Sequence, residues 1–185
     1  HIMEQHGNTS NNTVFADNKG NIAYWHGNYI PIRDETYNWG KPVDGSIINT
    51  EWKGLHSLDD IVHVYNPATG FIQNCNSTPF TVSGGSSPEK QKYYPYMAPD
   101  GENFRGINAA RVLSEGSAFT IDKTIAAGYN KKLTAFEILI PPLVKLFEEN
   151  ISPDDSLYKV MNGAIQTLKK WDHNVSDTSV ATTLA

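Results

Sequence analysis

Residues 66–79 read Asn66-Pro67-Ala68-Thr69-Gly70-Phe71-Ile72-Gln73-Asn74-Cys75-Asn76-Ser77-Thr78-Pro79, and their reading sets that of the whole chain. Asn66 to Gly70 has the composition of a tight turn: Pro67 presets its own φ, and Gly70 tolerates the left-handed backbone that a reversal needs. Phe71-Ile72-Gln73-Asn74 then reads as a short apolar strand, and Pro79, with no N–H to give a ladder, stops the sheet pattern. An apolar strand that delivers two asparagines to its end is unusual. A buried amide without a partner costs about 1–3 kcal/mol, so Asn74 and Asn76 need partners, either within the protein or in a ligand.

On the N-terminal side, Val62-His63-Val64-Tyr65 reads as the strand that enters this turn, making a hairpin with Phe71–Asn74. A second and clearer hairpin lies upstream. Thr13-Val14-Phe15-Ala16-Asp17 and Ile22-Ala23-Tyr24-Trp25-His26 flank Asn18-Lys19-Gly20-Asn21, where Gly20 accepts positive φ, and Pro31 ends the extension of the second strand. Between the hairpins, residues 33–54 show no clean period and carry Tyr37, Trp39 and Trp52, which suit aromatic anchors for an irregular segment. Ser57-Leu58-Asp59-Asp60-Ile61 has the cap and acidic first turn of a short helix.

Beyond Pro79 the character changes. Residues 80–102 combine a Gly/Ser tip with Tyr93-Tyr94-Pro95-Tyr96-Met97, the make-up of a mobile surface loop. Helical spacing follows in Asn103 to Glu115, closed by Gly116, and again from Thr120 to about Gly128. Leu133 to Asn150 is a third helix that Pro141-Pro142 should kink or break, since neither ring nitrogen donates. Ser152-Pro153-Asp154-Asp155 opens a fourth, through Trp171, with Leu157, Val160, Met161, Ala164, Ile165 and Leu168 on its apolar stripe. Strands over about 13–79, a loop over 80–102 and helices over about 103–171 make an α+β chain. Residues 12–185 read as a single segment behind a loose lead-in over 1–11, in which His1-Ile2 ahead of Met3 looks like a tag remnant.

The 185 residues are 39% apolar and 19% charged, the balance of a globular domain rather than a disordered tail. A formal net charge of -5 without basic runs offers no face to nucleic acid and no polybasic patch to a membrane. No stretch approaches the roughly 20 apolar residues of a spanning helix. Cys75 is the one cysteine, which excludes an intrachain disulfide framework and thiolate zinc sites. His26, His56, His63 and His173 are scattered without ligand spacing, and Asp100-Gly101-Glu102 lacks the loop of a calcium hand, so no metal site is expected. Gly-x-Ser-x-Gly and phosphate-loop patterns are absent.

The remaining constellation is amide-rich. Asn74 and Asn76 stand at a strand end, with Arg105 at the start of the next helix. A side-chain amide N–H aimed at a developing oxyanion lowers a barrier by about 2.7–4 kcal/mol without titrating, and an arginine fork can hold such a site. Taken one by one, the commoner roles are local backbone capping for the asparagines and a surface ion pair for Arg105.

Four runs occur in an order that resembles the penicillin acylase family of N-terminal-nucleophile (Ntn) amidohydrolases. They are Phe15-Ala16-Asp17-x-x-Gly20-Asn21-Ile22-x-Tyr24, Trp39-x-x-Pro42-Val43-x-Gly45, Glu51-Trp52-Lys53-Gly54-Leu55 and the stretch from Asn66 to Pro79. The resemblance runs from about Asn12 to Ala185 and implies an internal piece of the family's β subunit, a partial Ntn-type sheet followed by a helical half. In that family the nucleophile is the first residue of the β subunit, with its own α-amine as base. The resemblance assigns Asn76 to the oxyanion hole, Arg105 to its support and Asn74 to a weaker supporting role. It implies that the nucleophile lies outside this chain, and that the partners are the α subunit, the rest of the β subunit and an acylated small-molecule amide. It also implies a periplasmic or secreted location. Calcium is admitted for a full-length enzyme, and nothing in these residues supports it. Self-association through exposed edges follows as an expectation. The competing reading is a non-catalytic module whose Trp39, Trp52 and Tyr93 to Tyr96 form a platform for a carbohydrate or peptide.

Overall fold

The computed structural model describes residues 2–8 and 11–185. His1 of the tag remnant and Thr9 and Ser10 of the lead-in lie outside the described residues. The chain divides into two compact units, His1–Glu115 and Gly116–Ala185.

The first unit is built on a three-stranded antiparallel sheet of order β1-β2-β3, with β1 Thr13–Ala16, β2 Ile22–Trp25 and β3 His63–Tyr65. The β1–β2 hairpin forms where the sequence places it, in the register Thr13 opposite Trp25 and Ala16 opposite Ile22. Asp17 makes the turn: its carboxylate accepts from the backbone of Lys19 and Asn21 and from Asn21 Nδ2, at 2.8, 2.9 and 2.8 Å. Gly20 takes φ 86°. These donors hold the Asp17 carboxyl below its ordinary range.

The expected hairpin between residues 62–65 and 71–74 does not form. β3 pairs instead with β2, Tyr24 opposite Val64, and residues 71–74 run without strand pairing. The reason is Asn66, whose side chain is used across the sheet. At φ 46° its Oδ1 accepts from Ile22 N at 2.9 Å and its Nδ2 donates to Asn21 Oδ1 at 2.8 Å. The turn thus closes β3 onto the first hairpin. Residues 69–83 are then fastened by hydroxyls: Thr69 Oγ1 donates to Ser83 O at 3.0 Å, and Ser83 Oγ to Phe71 O at 2.8 Å. Ser83 is fully buried, so the Gly/Ser stretch is anchored at its start. Residues 57–61 form a turn rather than a helix, closed by Asp60 Oδ2 accepting from Ser57 Oγ at 2.7 Å.

Tyr24, Ala23, Ile61, Val62 and Val82 are buried at the centre of this unit. Met97 and Ala98 join Val62, with Ile30, Phe80, Tyr93 and Tyr96 packed around them. The loop over 80–102 therefore supplies core. Residues 33–54 are pinched at their ends, where Ile32 N donates to Gly54 O and Lys53 N to Ile32 O, both at 3.0 Å. Trp39 anchors the interior, giving Nε1–H to Asp34 O at 2.7 Å, whereas Trp52 stays exposed. Helix α1, Phe104–Glu115, completes the unit.

The second unit comprises α2 Ile121–Gly128, α3 Thr134–Asn150, α4 Ser156–Lys169 and α5 Val180–Leu184. Thr120, Asp155 and Ser179 cap α2, α4 and α5 by accepting from the backbone of Lys123, Leu157 and Thr182. The cap of α4 is Asp155, so that helix starts later than Pro153 suggests. α3 runs unbroken through Pro141 and Pro142. Ile140, Val144 and Phe147 lie on both sides of the prolines and share one buried cluster with Ile165, Leu168, Trp171 and Ala181. Burying each of the larger side chains stabilises by about 1.5–3 kcal/mol, enough to offset a cost of about 3 kcal/mol for a helical proline.

Candidate functional site

The turn that carries Cys75 and Asn76 meets the start of α1 within the first unit. Asn76 sits at φ 56°, a left-handed conformation that asparagine tolerates better than other side-chain-bearing residues. The NH2 group of Arg105 donates to Asn76 Oδ1 at 3.4 Å. Arginine has only donors, so Asn76 must turn its oxygen towards Arg105 and its Nδ2 away. Asn76 is exposed, and among the described residues no hydrogen bond engages that Nδ2. An amide whose carbonyl is held by a cation and whose N–H bonds are open can donate to an anionic oxygen.

Asn74 is placed differently. Its Oδ1 accepts from Asn12 Nδ2 at 3.3 Å, and Asn12 Oδ1 accepts from Gly27 N at 3.0 Å. Asn74 thereby ties the turn to the segment after β2. Cys75 between them is half-buried, and its carbonyl accepts from Asn103 Nδ2 at 3.1 Å. The helix start is pressed hard against the turn: a Cβ on Gly106 would lie 2.5 Å from Ser77 Oγ and 2.9 Å from Ser77 Cβ.

A polar cavity of about 210 Å³ opens beside Asn76, lined also by Asn12, His26, Ser77 and Asp100. A chain of contacts runs into it. Tyr24 OH lies 2.9 Å from His26 Nδ1, and His26 Nε2 lies 3.3 Å from Asp100 Oδ2. The Asp100 carboxylate only accepts, so a neutral His26 presents Nε2–H to it and its Nδ1 accepts from Tyr24 OH; burial first, and the Asp100 charge second, hold that phenol far above its ordinary value. Burial pushes His26 down, against the opposing pull of Asp100. The neutral ring then carries its proton on Nε2, facing Asp100. Nothing local marks Asp100. His26 is signalled only by the alternation of β2, which puts positions 24 and 26 on one face.

Burial also lowers His56, whose Nε2 lies 2.9 Å from Tyr96 OH. The unfolded chain takes up protons near pH 6.5 while both folded imidazoles resist them, so stability falls as pH drops through that value. Each histidine contributes at most about 1.4 kcal/mol per pH unit. Denaturant midpoints at pH 7.5 and 5.5 should show the loss, and a flat profile would contradict it. The lowered carboxyls of Asp17, Asp34, Asp44, Asp60 and Asp172 act only below 3.8, outside that window.

The aromatic platform is not assembled as the competing reading requires. A groove of about 530 Å³ brings together Arg33, Tyr37, Trp39, Pro95, Tyr96 and Pro99. Trp52 is not part of it, and Tyr93 packs on Phe80 at 6.2 Å. Among the described residues no group of three His, Cys, Asp or Glu is placed to hold a metal ion, and no helix is long and apolar enough to cross a membrane.

A family model described as penicillin amidase matches residues 1–185. The chain belongs to the penicillin amidase family. Over 68 residues, 37% of this chain, it is 38% identical to penicillin G acylase of Escherichia coli, and it covers 8% of that protein. The solved structure of a thermostable penicillin G acylase from Alcaligenes faecalis matches 90% of this chain with a TM-score of 0.59 and 21% identity. That match covers 28% of the acylase chain. The three-stranded sheet followed by helices is thus an α+β fold that corresponds to part of a penicillin G acylase. This chain spans only a small part of the length of either acylase.

Proposed function

We propose that these residues supply the oxyanion-stabilising side of an Ntn amidohydrolase that cleaves a linear amide. The substrate would be an acylated amine of the penicillin, cephalosporin or N-acyl-homoserine-lactone type. The observation that carries the reading is the Arg105–Asn76 contact, because it leaves the Asn76 N–H bonds open beside a polar cavity. As a nucleophile attacks the scissile carbonyl, negative charge gathers on its oxygen, and a donor already oriented towards that position stabilises the transition state without reorganising. Arg105 acts behind the amide: it fixes which way Asn76 faces, and its charge polarises the N–H bonds. Asn74 holds the turn through Asn12.

In this reading residues 12–185 form one segment of a β subunit, the nucleophile lies elsewhere in a longer protein, and that protein works in the periplasm or outside the cell. Membership of the penicillin amidase family supports the reaction class. The test is hydrolysis of a chromogenic phenylacetyl or fatty-acyl amide. The full-length protein should turn it over, and the 185-residue chain should not exceed background. Turnover by the chain alone would place the nucleophile inside it and overturn the proposal.

A further inference from the structure

We propose that Asn103 is a positioning residue that sets the left-handed turn at Asn76 and so aims its amide; its catalytic consequence rests on the oxyanion reading above. Asn103 stands just before α1 and works with both ends of its side chain. Its Oδ1 accepts from Gly106 N at 2.9 Å, which caps the helix. Its Nδ2 donates to Cys75 O and to Asn76 O, each at 3.1 Å. Successive carbonyls of extended backbone point in alternate directions, so two of them can meet one donor only where the chain has left that conformation. The left-handed Asn76, at φ 56°, is where it does.

One amide therefore locks two features together. The cap fixes where α1 begins, and with it the position of Arg105, two residues on. The fork to Cys75 and Asn76 fixes the backbone from which the Asn76 side chain projects. Arg105 then closes the loop from the far side through Asn76 Oδ1, at 3.4 Å. The backbone N–H of Asn103 donates to Glu102 Oε1 at 2.9 Å, which further restrains the cap. A free left-handed asparagine would sample other conformations, and its N–H bonds would not stay pointed at one place.

The variant N103D separates the two roles. A carboxylate remains a good cap at a helix start, where the dipole favours negative charge. It has no proton for the Cys75 and Asn76 carbonyls and sets an oxygen against them. In the chain itself, backbone amide and Cα resonances of residues 107–113 report α1, and those of Cys75 and Asn76 report the turn. N103D should leave the first set and the thermal midpoint in place and move or broaden the second. N103A, which loses the cap as well, should lower the midpoint. Wild-type resonances for Cys75 and Asn76 in N103D would overturn the proposal.

In the full-length enzyme, N103D should lower kcat by about 10- to 100-fold with KM unchanged, the scale expected for a misplaced catalytic group. N76A is the control. A slow N76A beside an N103D at wild-type rate would overturn the positioning role while leaving the oxyanion reading intact. An N76A at wild-type rate would remove the oxyanion reading, and the resonances would then decide the role of Asn103 in the turn by themselves.

Discussion

On the proposed oxyanion role, the Asn76→Ala variant of the full-length protein is expected to lose about 10²–10³ in kcat, the range measured when one oxyanion donor is removed from an acyl-transfer site. Asn76 Oδ1 is held by Arg105 at 3.4 Å, which leaves the Nδ2 hydrogens as the groups presented outward. A donor that matters chiefly when charge develops contributes to the transition state and little to the bound substrate. The kcat and kcat/KM values should therefore fall together, with KM nearly constant. Alanine also resists the left-handed backbone at φ 56°, a cost of about 1–2 kcal/mol that should appear separately in denaturant melts. Wild-type kcat in a folded Asn76→Ala variant would remove the residue from the mechanism. A raised KM at constant kcat would make it a substrate-binding group instead.

The second large effect concerns the contact between α1 and the asparagine turn. Gly106 is buried, and an added Cβ would meet Ser77 Oγ at 2.5 Å, Glu102 Oε1 at 2.6 Å and Ser77 Cβ at 2.9 Å. The Glu102 carboxylate is the end of a flexible side chain and can swing aside. The Ser77 Cβ cannot, because its position is fixed by the backbone of a residue that is 2% exposed. Gly106→Ala should therefore push α1 away from the turn and destabilise the first unit by about 1–3 kcal/mol, the usual cost of overpacking. Arg105 travels with the helix, so kcat in the full-length enzyme should fall as well. Adding Ser77→Gly removes the obstructing atoms. A double-mutant cycle should show a compensating coupling of about 0.5–3 kcal/mol. An Ala variant as stable as the parent, or singles that simply add, would show that the helix and turn are not in hard contact.

The parts of the fold legible in the sequence are those whose signals are local. Asp17 and Gly20 specify the first hairpin within a few residues, and Thr120 caps the helix that directly follows it. The second hairpin misleads because its turn residue has a distant partner: Asn66 bonds to Asn21 and Ile22 across the sheet, and no window around residue 66 contains them. The prolines of α3 mislead for a related reason, since the burial that holds the helix together comes from α4 and α5. At the site, the amide-rich pattern and the family resemblance both single out residues 76 and 105, and the structure brings them into contact. Asn12, Asn103, His26 and Asp100 stand in none of the four runs. Each acts through a partner far along the chain, Asn12 with Gly27, Asn103 with Cys75 and His26 with Asp100, which only folding supplies.

The backbone at residue 76 also determines how freely that position can drift. Its left-handed conformation favours glycine, asparagine and aspartate among the twenty amino acids. Glycine keeps the turn and deletes the donor; aspartate keeps the turn and offers only acceptors. Glutamine retains an N–H but resists the backbone and reaches further. On the proposed oxyanion role one residue type satisfies both demands, so lineages that keep the turn but have exchanged this asparagine should be those that have also given up the chemistry.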